Sequence, residues 1–185
     1  MRMRVHPPSL FWIEDRLDES MMTYLWSQIN LANKDYKNNL VGHISSSLEL
    51  PDEEQRLSNY TLEVAKELDY LYTPNLKMGT SWVNFQKKYE FNPVHMHDGK
   101  MSYVIWMKIP YSYEEEAKRA PAINTSHSVA GCFEFIYTDM LGQIAKMTYT
   151  AQEGTLVVFP AALFHVVYPF YTSNEERISI SGNIL

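Results

Sequence analysis

Two histidines one residue apart, His95 and His97, sit in the stretch FNPVHMHDGKMSYVIW (Phe91–Trp106), with Asp98 directly behind them. The run that follows is apolar and β-branched and reads as a strand. In an extended strand, residues i and i+2 face the same side. His95 and His97 therefore point together, while Val94 and Met96 point the other way. Two imidazoles on one face can grip a single metal ion, and imidazole suits iron, zinc, copper or nickel. A third ligand must come from elsewhere. His165, in GTLVVFPAALFHVVYP (Gly154–Pro169), is the best placed, because Pro160 sets a turn and His165 opens another strand. Strand parity gives the remaining position to His97. A bulge would turn Asp98 inward in its place, as bulges do beside active sites. Two histidines completed by water form the third arrangement.

Twelve residues after His165 comes Arg177, in EERISISGNI. Arg177, Ser179, Ser181 and Asn183 alternate with Ile178, Ile180 and Ile184, so one face of this last strand is polar. Turned inward, that face makes Arg177 a buried cation that must be paired. The planar guanidinium fork matches a carboxylate. A metal together with a carboxylate clamp is what a 2-oxo acid would need. Asn84, in SWVNFQ, shares a face with Trp82 and Gln86 on the preceding strand and is a candidate for binding cosubstrate or substrate. The remaining histidines have a blander reading, with His43 and His127 on the surface and His6 near the terminus.

The elements that must position these residues are legible in outline. Met22, Leu25, Trp26 and Ile29 recur at helical spacing, with Asp18 and Ser20 as candidate N-caps. A polar, Ser-rich connection follows. A second helix carries Leu57, Tyr60, Val64, Leu68 and Leu71 on one face, its start marked by Pro51 and an acidic DEE and its end limited by Pro74. After Gly79 the segments turn short, aromatic and β-branched. Eight strands are expected, near 81–87, 91–97, 101–109, 131–137, 143–149, 154–159, 163–168 and 177–184. The polar segment Tyr111–Ala130 is expected to be a mobile insertion, with Glu114–Glu116 a solvated face. The fold class is therefore mainly β with N-terminal helices: a jelly roll backed by about two helices. One domain, 1–185, is expected, with 1–78 as helical support and 79–185 as the core carrying the site.

The order HMH, GTLVVFPAALFH, RISISGNI resembles the 2-oxoglutarate/Fe(II)-dependent dioxygenase superfamily on its prolyl-hydroxylase-like side, in particular a small branch whose first metal motif reads H-x-H. The resemblance spans about Ser81 to Leu185 and implies a double-stranded β-helix. It implies His95 and His165 as the two histidine ligands, Arg177 as the partner of the far carboxylate of 2-oxoglutarate, and Ser179 as a further hydrogen bond to it. His97 occupies the slot where that pattern has a carboxylate. The implied cofactors are Fe(II), 2-oxoglutarate and O2. The implied reaction hydroxylates a substrate, a protein side chain or a metabolite, while 2-oxoglutarate becomes succinate and CO2. A cupin-type metal protein that does not use 2-oxoglutarate is the alternative. Gly154, Pro160 and His165 resemble a second cupin motif, but Met101 and Ser102 stand where the first wants a glutamate. A metal-free jelly-roll binding protein is the third reading.

Composition narrows the field. The chain has 185 residues, 45% of them hydrophobic, enough for a full core. A net charge of −6 argues against a nucleic-acid or anionic-membrane binder. The single cysteine, Cys132, excludes an internal disulfide framework and fits a reducing compartment. No apolar window has the length of a membrane span or a signal peptide core, so a cytoplasmic location is expected. N-x-S/T triplets at Asn59 and Asn124 are chance matches on that reading. The helical N-terminus is expected to buttress the barrel or to supply a homodimer contact.

Overall fold

The computed structural model describes residues 3–5, 12–68, 75–119, 125–139 and 141–185. His6, Leu71, Pro74 and Asn124 lie outside them. The elements run β1 (Met3–Val5), β2 (Trp12–Arg16), α1 (Glu19–Leu31), β3 (Ser46–Glu49), α2 (Arg56–Lys66), β4 (Met78–Gln86), β5 (Asn92–His95), β6 (Met101–Lys108), α3 (Tyr113–Ala117), β7 (Phe133–Thr138), β8 (Ile144–Tyr149), β9 (Thr155–Pro160), β10 (Phe164–Val167) and β11 (Arg177–Ile184). They form two antiparallel sheets, β1-β2-β9-β6-β11-β4-β3 and β5-β10-β7-β8. This is the expected mainly β jelly roll with helices behind it.

All eight expected strands are present. The N-terminal third is not purely helical, however. β1, β2 and β3 flank the helices and extend the larger sheet at both edges. β3 lies inside the Ser-rich connection, where serine masks the alternation. Its register against β4 sets Ser47 opposite Asn84 and Leu48 opposite Val83.

Two cores result. The outer one lies between the larger sheet and α1 and α2, and joins Leu25, Ile29, Leu57 and Val64 to Val83, Ile105 and Ile180. The inner one lies between the sheets and joins Trp12, Trp106, Phe133, Phe135 and Phe159. Burial of each large side chain contributes about 1.5–3 kcal/mol. Period-two alternation sorts β11 between the two sides: Ile178, Ile180 and Ile184 pack on the helix side, while Arg177, Ser179, Ser181 and Asn183 line a cavity on the other.

Helix starts follow local chemistry. Asp18 caps α1 by accepting from Met21 N at 2.7 Å. Ahead of α2, the Asp52 carboxylate accepts from Leu57 N at 3.1 Å and Ser58 N at 2.8 Å. It thereby satisfies N–H groups that the helix cannot pair itself.

Candidate active site

β5 and β10 are hydrogen-bonded neighbours, with His95 directly opposite His165. His97 lies just past the end of β5, and its backbone N–H donates to Ala161 O at 2.9 Å. That bond keeps the segment extended, so His97 still faces the same way as His95. The ring centroids are 4.2 Å apart for His95 and His165, 5.0 Å for His95 and His97, and 5.1 Å for His97 and His165. One nitrogen from each ring falls within 4.8 Å of the others. The exposed Asp98 does not belong to that group.

Each strand histidine is oriented through its other nitrogen. His95 Nδ1 lies 2.7 Å from Pro93 O, and His165 Nδ1 lies 2.9 Å from Leu163 O. A carbonyl only accepts, so Nδ1 carries the proton in both rings and the Nε2 lone pair is left free. This is how metal-binding imidazoles are held. Burial is the main cause that disfavours the protonated form of all three, with repulsion from His95 adding to it at His97 and His165. His95 is lowered, His97 is pushed down to about 4, and His165 lies well below the usual range. Phe133 stacks on His165 with ring centroids 5.3 Å apart, Phe159 meets it edge-on at 5.0 Å, and Trp82 lies 5.9 Å from His97. Together they wall the cluster from the protein side.

The three histidines open into a cavity of about 250 Å³. Its floor is the polar face of β11 together with Trp82, Asn84 and Gln86 of β4. Arg177 borders the same cavity and is 3% exposed. Its Nε donates to Gln86 Oε1 at 2.9 Å, and one Nη donates to the same oxygen. The other Nη donates to Tyr111 Oη at 2.6 Å and Gly131 O at 2.7 Å. A longer contact of 3.4 Å reaches Tyr168 O. All these acceptors are neutral, so among the described residues no carboxylate pairs with this buried cation.

The Tyr111–Ala130 segment is anchored at its start, where Tyr111 stacks on Phe170 with ring centroids 4.7 Å apart and its hydroxyl donates to Gly131 O at 2.7 Å. Gly131 has φ +72°, and a Cβ there would come within 2.6 Å of the Tyr111 ring. One expectation about the segment is corrected: Glu116, expected on a solvated face, is 0% exposed. Its carboxylate accepts from the backbone N–H groups of Tyr171 and Thr172, both at 2.8 Å.

Ser179 and Asn84 border the cavity as the strand pattern implies. His43 and His127 are exposed, as expected, and His43 stacks on Phe91 at 4.7 Å. Sequence reasoning missed Gln86 as the main partner of Arg177, although its shared face with Asn84 was readable. It also missed Tyr111 and Ser47. Neither carries a sequence signal, since both act through contacts distant along the chain. The wall formed by Tyr36, Leu40, Val41 and Ile44 was missed too. Gly42, at φ +133°, lets this loop close onto β5, since a Cβ would fall 1.8 Å from Asn92 Oδ1.

Comparison with known proteins points the same way. Residues 80–183 match the model of a family described as "Putative 2OG-Fe(II) oxygenase". No curated protein sequence matches the chain. Among solved structures, a Pseudomonas putida prolyl-4-hydroxylase superposes with a TM-score of 0.59 at 13% identity, over 92% of this chain and 90% of that one. A viral collagen prolyl hydroxylase from Paramecium Bursaria Chlorella virus-1, in complex with 2OG, gives 0.55 at 14% identity, over 92% and 94%. A Trichoplax adhaerens prolyl hydroxylase, in complex with a hypoxia inducible factor peptide fragment, gives 0.55 at 12%, over 94% and 81%. At these identities the likeness is one of fold.

Proposed function

The chain belongs to the 2OG-Fe(II) oxygenase family, whose cofactors are Fe(II), 2-oxoglutarate and O2, and from that premise we propose that it is a hydroxylase. On this reading His95, His97 and His165 hold the iron, and Arg177 with Ser179 takes the far carboxylate of 2-oxoglutarate. When bound, the iron and its cosubstrates supply the oxidising chemistry that converts 2-oxoglutarate to succinate and CO2 and hydroxylates a second substrate.

The observation that carries this reading is the pairing of two features in one cavity. Three neutral imidazoles converge at one end, and a buried guanidinium with only neutral partners borders it. A buried cation without a counter-charge is costly, and a carboxylate ligand supplies the missing charge. A metal protein that ignores 2-oxo acids leaves Arg177 bonded to Gln86, Tyr111 and Gly131 O but without a counter-charge.

The chain's own groups have defined tasks here. The carbonyls of Pro93 and Leu163 fix two imidazoles in the ligand tautomer. Gln86 and Tyr111 hold the guanidinium rigid. Trp82, Phe133 and Phe159 keep water from the protein side of the histidines.

The second substrate is proposed to be a small group carried on a larger body, such as a side chain of a polypeptide. The cavity, about 250 Å³, lies below the roughly 300–1,000 Å³ of pockets that engulf a whole drug-sized molecule. A bound dicarboxylate reduces it further. Exposed Val41 and Met96 line it and offer an apolar rim for the rest of the substrate.

Anaerobic addition of Fe(II) and then 2-oxoglutarate tests the reading. A weak visible metal-to-ligand charge-transfer band is expected. Iron uptake with no band would favour the cupin-type alternative, and no iron uptake would leave a scaffold.

A further inference from the structure

Asn84 stands between the two halves of the site. On β4 it shares a face with Gln86, which holds Arg177, and with Trp82, which lies against His97. Each is one same-face step away, about 7 Å. Asn84 is 6% exposed. Its Oδ1 accepts from Ser47 Oγ at 2.8 Å, and Ser47, 2% exposed, is its direct cross-strand partner on β3. In this arrangement the amide turns its oxygen toward Ser47 and its nitrogen away from it. The oxygen is consumed, and Nδ2 is left with two N–H groups for which no described residue is an acceptor. Asn84 borders the cavity, so a ligand there can supply one. The same construction recurs along the floor, where Ser102 Oγ donates to Asn183 Oδ1 at 3.0 Å.

We propose that Ser47 is a positioning residue for the cosubstrate: its hydroxyl fixes the Asn84 amide so that Nδ2 donates to an oxygen of the dicarboxylate lying between Arg177 and the histidines. This rests on the 2-oxoglutarate reading above. It brings the β3 edge strand, part of the N-terminal third, into cosubstrate recognition. It also makes the polarity of the amide the determinant, rather than its size.

The test uses the full chain loaded with Fe(II) without oxygen and titrated with 2-oxoglutarate, read by the charge-transfer band and by calorimetry, with iron affinity measured separately. Asn84→Asp keeps the shape and still accepts from Ser47, but turns an acceptor toward the ligand. It should weaken 2-oxoglutarate binding on the order of 100-fold with iron affinity unchanged. Asn84→Ala, which buries no charge, should lose about 10-fold. Ser47→Ala should also lose about 10-fold, Ser47→Thr should restore binding to within about threefold, and Ser47→Ala should add nothing in the Asn84→Asp background. Wild-type affinity in Ser47→Ala would overturn the proposal. So would equal losses in Ser47→Ala and Ser47→Thr, because packing rather than the hydroxyl would then be responsible. Retained affinity in Asn84→Asp would overturn it as well. A wild-type chain that takes up iron but gives no band sinks the underlying reading instead, and is readily told apart from a wild-type band with insensitive variants.

Discussion

Gln86→Glu separates stability from cosubstrate binding. In the wild type, the Gln86 carbonyl oxygen takes two N–H groups from Arg177, while its amide donates to Glu90 O at 2.6 Å. A glutamate places a formal charge against the guanidinium. The contact is already assisted by the charge of the guanidinium, so the change turns it into a buried ion pair whose Coulomb gain is partly offset by desolvation of the carboxylate, a net gain on the order of 1 kcal/mol. The carboxylate cannot donate to Glu90 O, and losing that bond costs about 1–3 kcal/mol. The two effects offset, so the fold should remain within about 2 kcal/mol of wild type. Binding should respond very differently. The internal carboxylate neutralises the cation that 2-oxoglutarate needs, and disrupting a buried charge pair costs about 2–5 kcal/mol. At 1.36 kcal/mol per decade, a loss of about 2.7 kcal/mol is on the order of 100-fold in affinity. The assay is anaerobic titration of the Fe(II)-loaded variant with 2-oxoglutarate, alongside urea unfolding and an iron titration. Iron affinity should be unchanged, because Gln86 touches no histidine of the cluster. Binding of 2-oxoglutarate within about threefold of wild type would refute the assignment of Arg177 as the carboxylate's partner.

Three further outcomes are expected. His97→Ala should lower iron affinity by at least ~100-fold, more than the loss of a mere supporting partner, whereas Asp98→Ala should stay within about threefold; the reverse ranking in an iron titration would move the third ligand to Asp98. The metal-free protein should lose stability in acid: the three histidines hold protons less tightly when folded than the ~6.5 of an unfolded chain, with His97 at about 4. The unfolded chain therefore takes up protons that the folded one refuses, and the contribution present above pH ~6.5 is lost as pH falls toward the folded values. Urea midpoints at pH 7.5 and pH 5 should differ accordingly, and His97→Asn should flatten the difference. Glu116→Ala leaves the amides of Tyr171 and Thr172 without their acceptor and should cost roughly 2–4 kcal/mol in unfolding free energy; a variant as stable as wild type would mean that α3 contributes nothing to holding that loop.

Much of the site could be read in advance because strand geometry is simple. Period two put His95 and His97 on one face and put Arg177, Ser179, Ser181 and Asn183 on the face away from the isoleucines. The polar floor of the cavity is that pattern realised, with Ile178, Ile180 and Ile184 packed toward the helices. Reading failed where the pattern was short or masked. β3 is four residues with two serines, and its buried Ser47 faces a polar partner rather than an apolar core. Glu116 lies in an acidic run, and nothing local distinguishes it from Glu114 or Glu115. Only the returning segment at Tyr171 and Thr172, which donates two backbone N–H groups and the Thr172 hydroxyl, makes a buried carboxylate tolerable.

The sequence by itself determined the residue types of the site, the faces they occupy and the sheet-rich class of the fold, because alternation and composition are local properties of the chain. Tertiary structure decided which of those residues meet. Strand pairing across 70 residues set His165 opposite His95. The bond from His97 N to Ala161 O kept His97, rather than Asp98, beside them beyond the end of β5. Arg177 found Gln86, Tyr111 and Gly131 O in place of a carboxylate. The physical reason is common to all three. A hydrogen-bond partner is chosen by proximity in the folded chain, and the registers that create this proximity are set by the packing of both cores together.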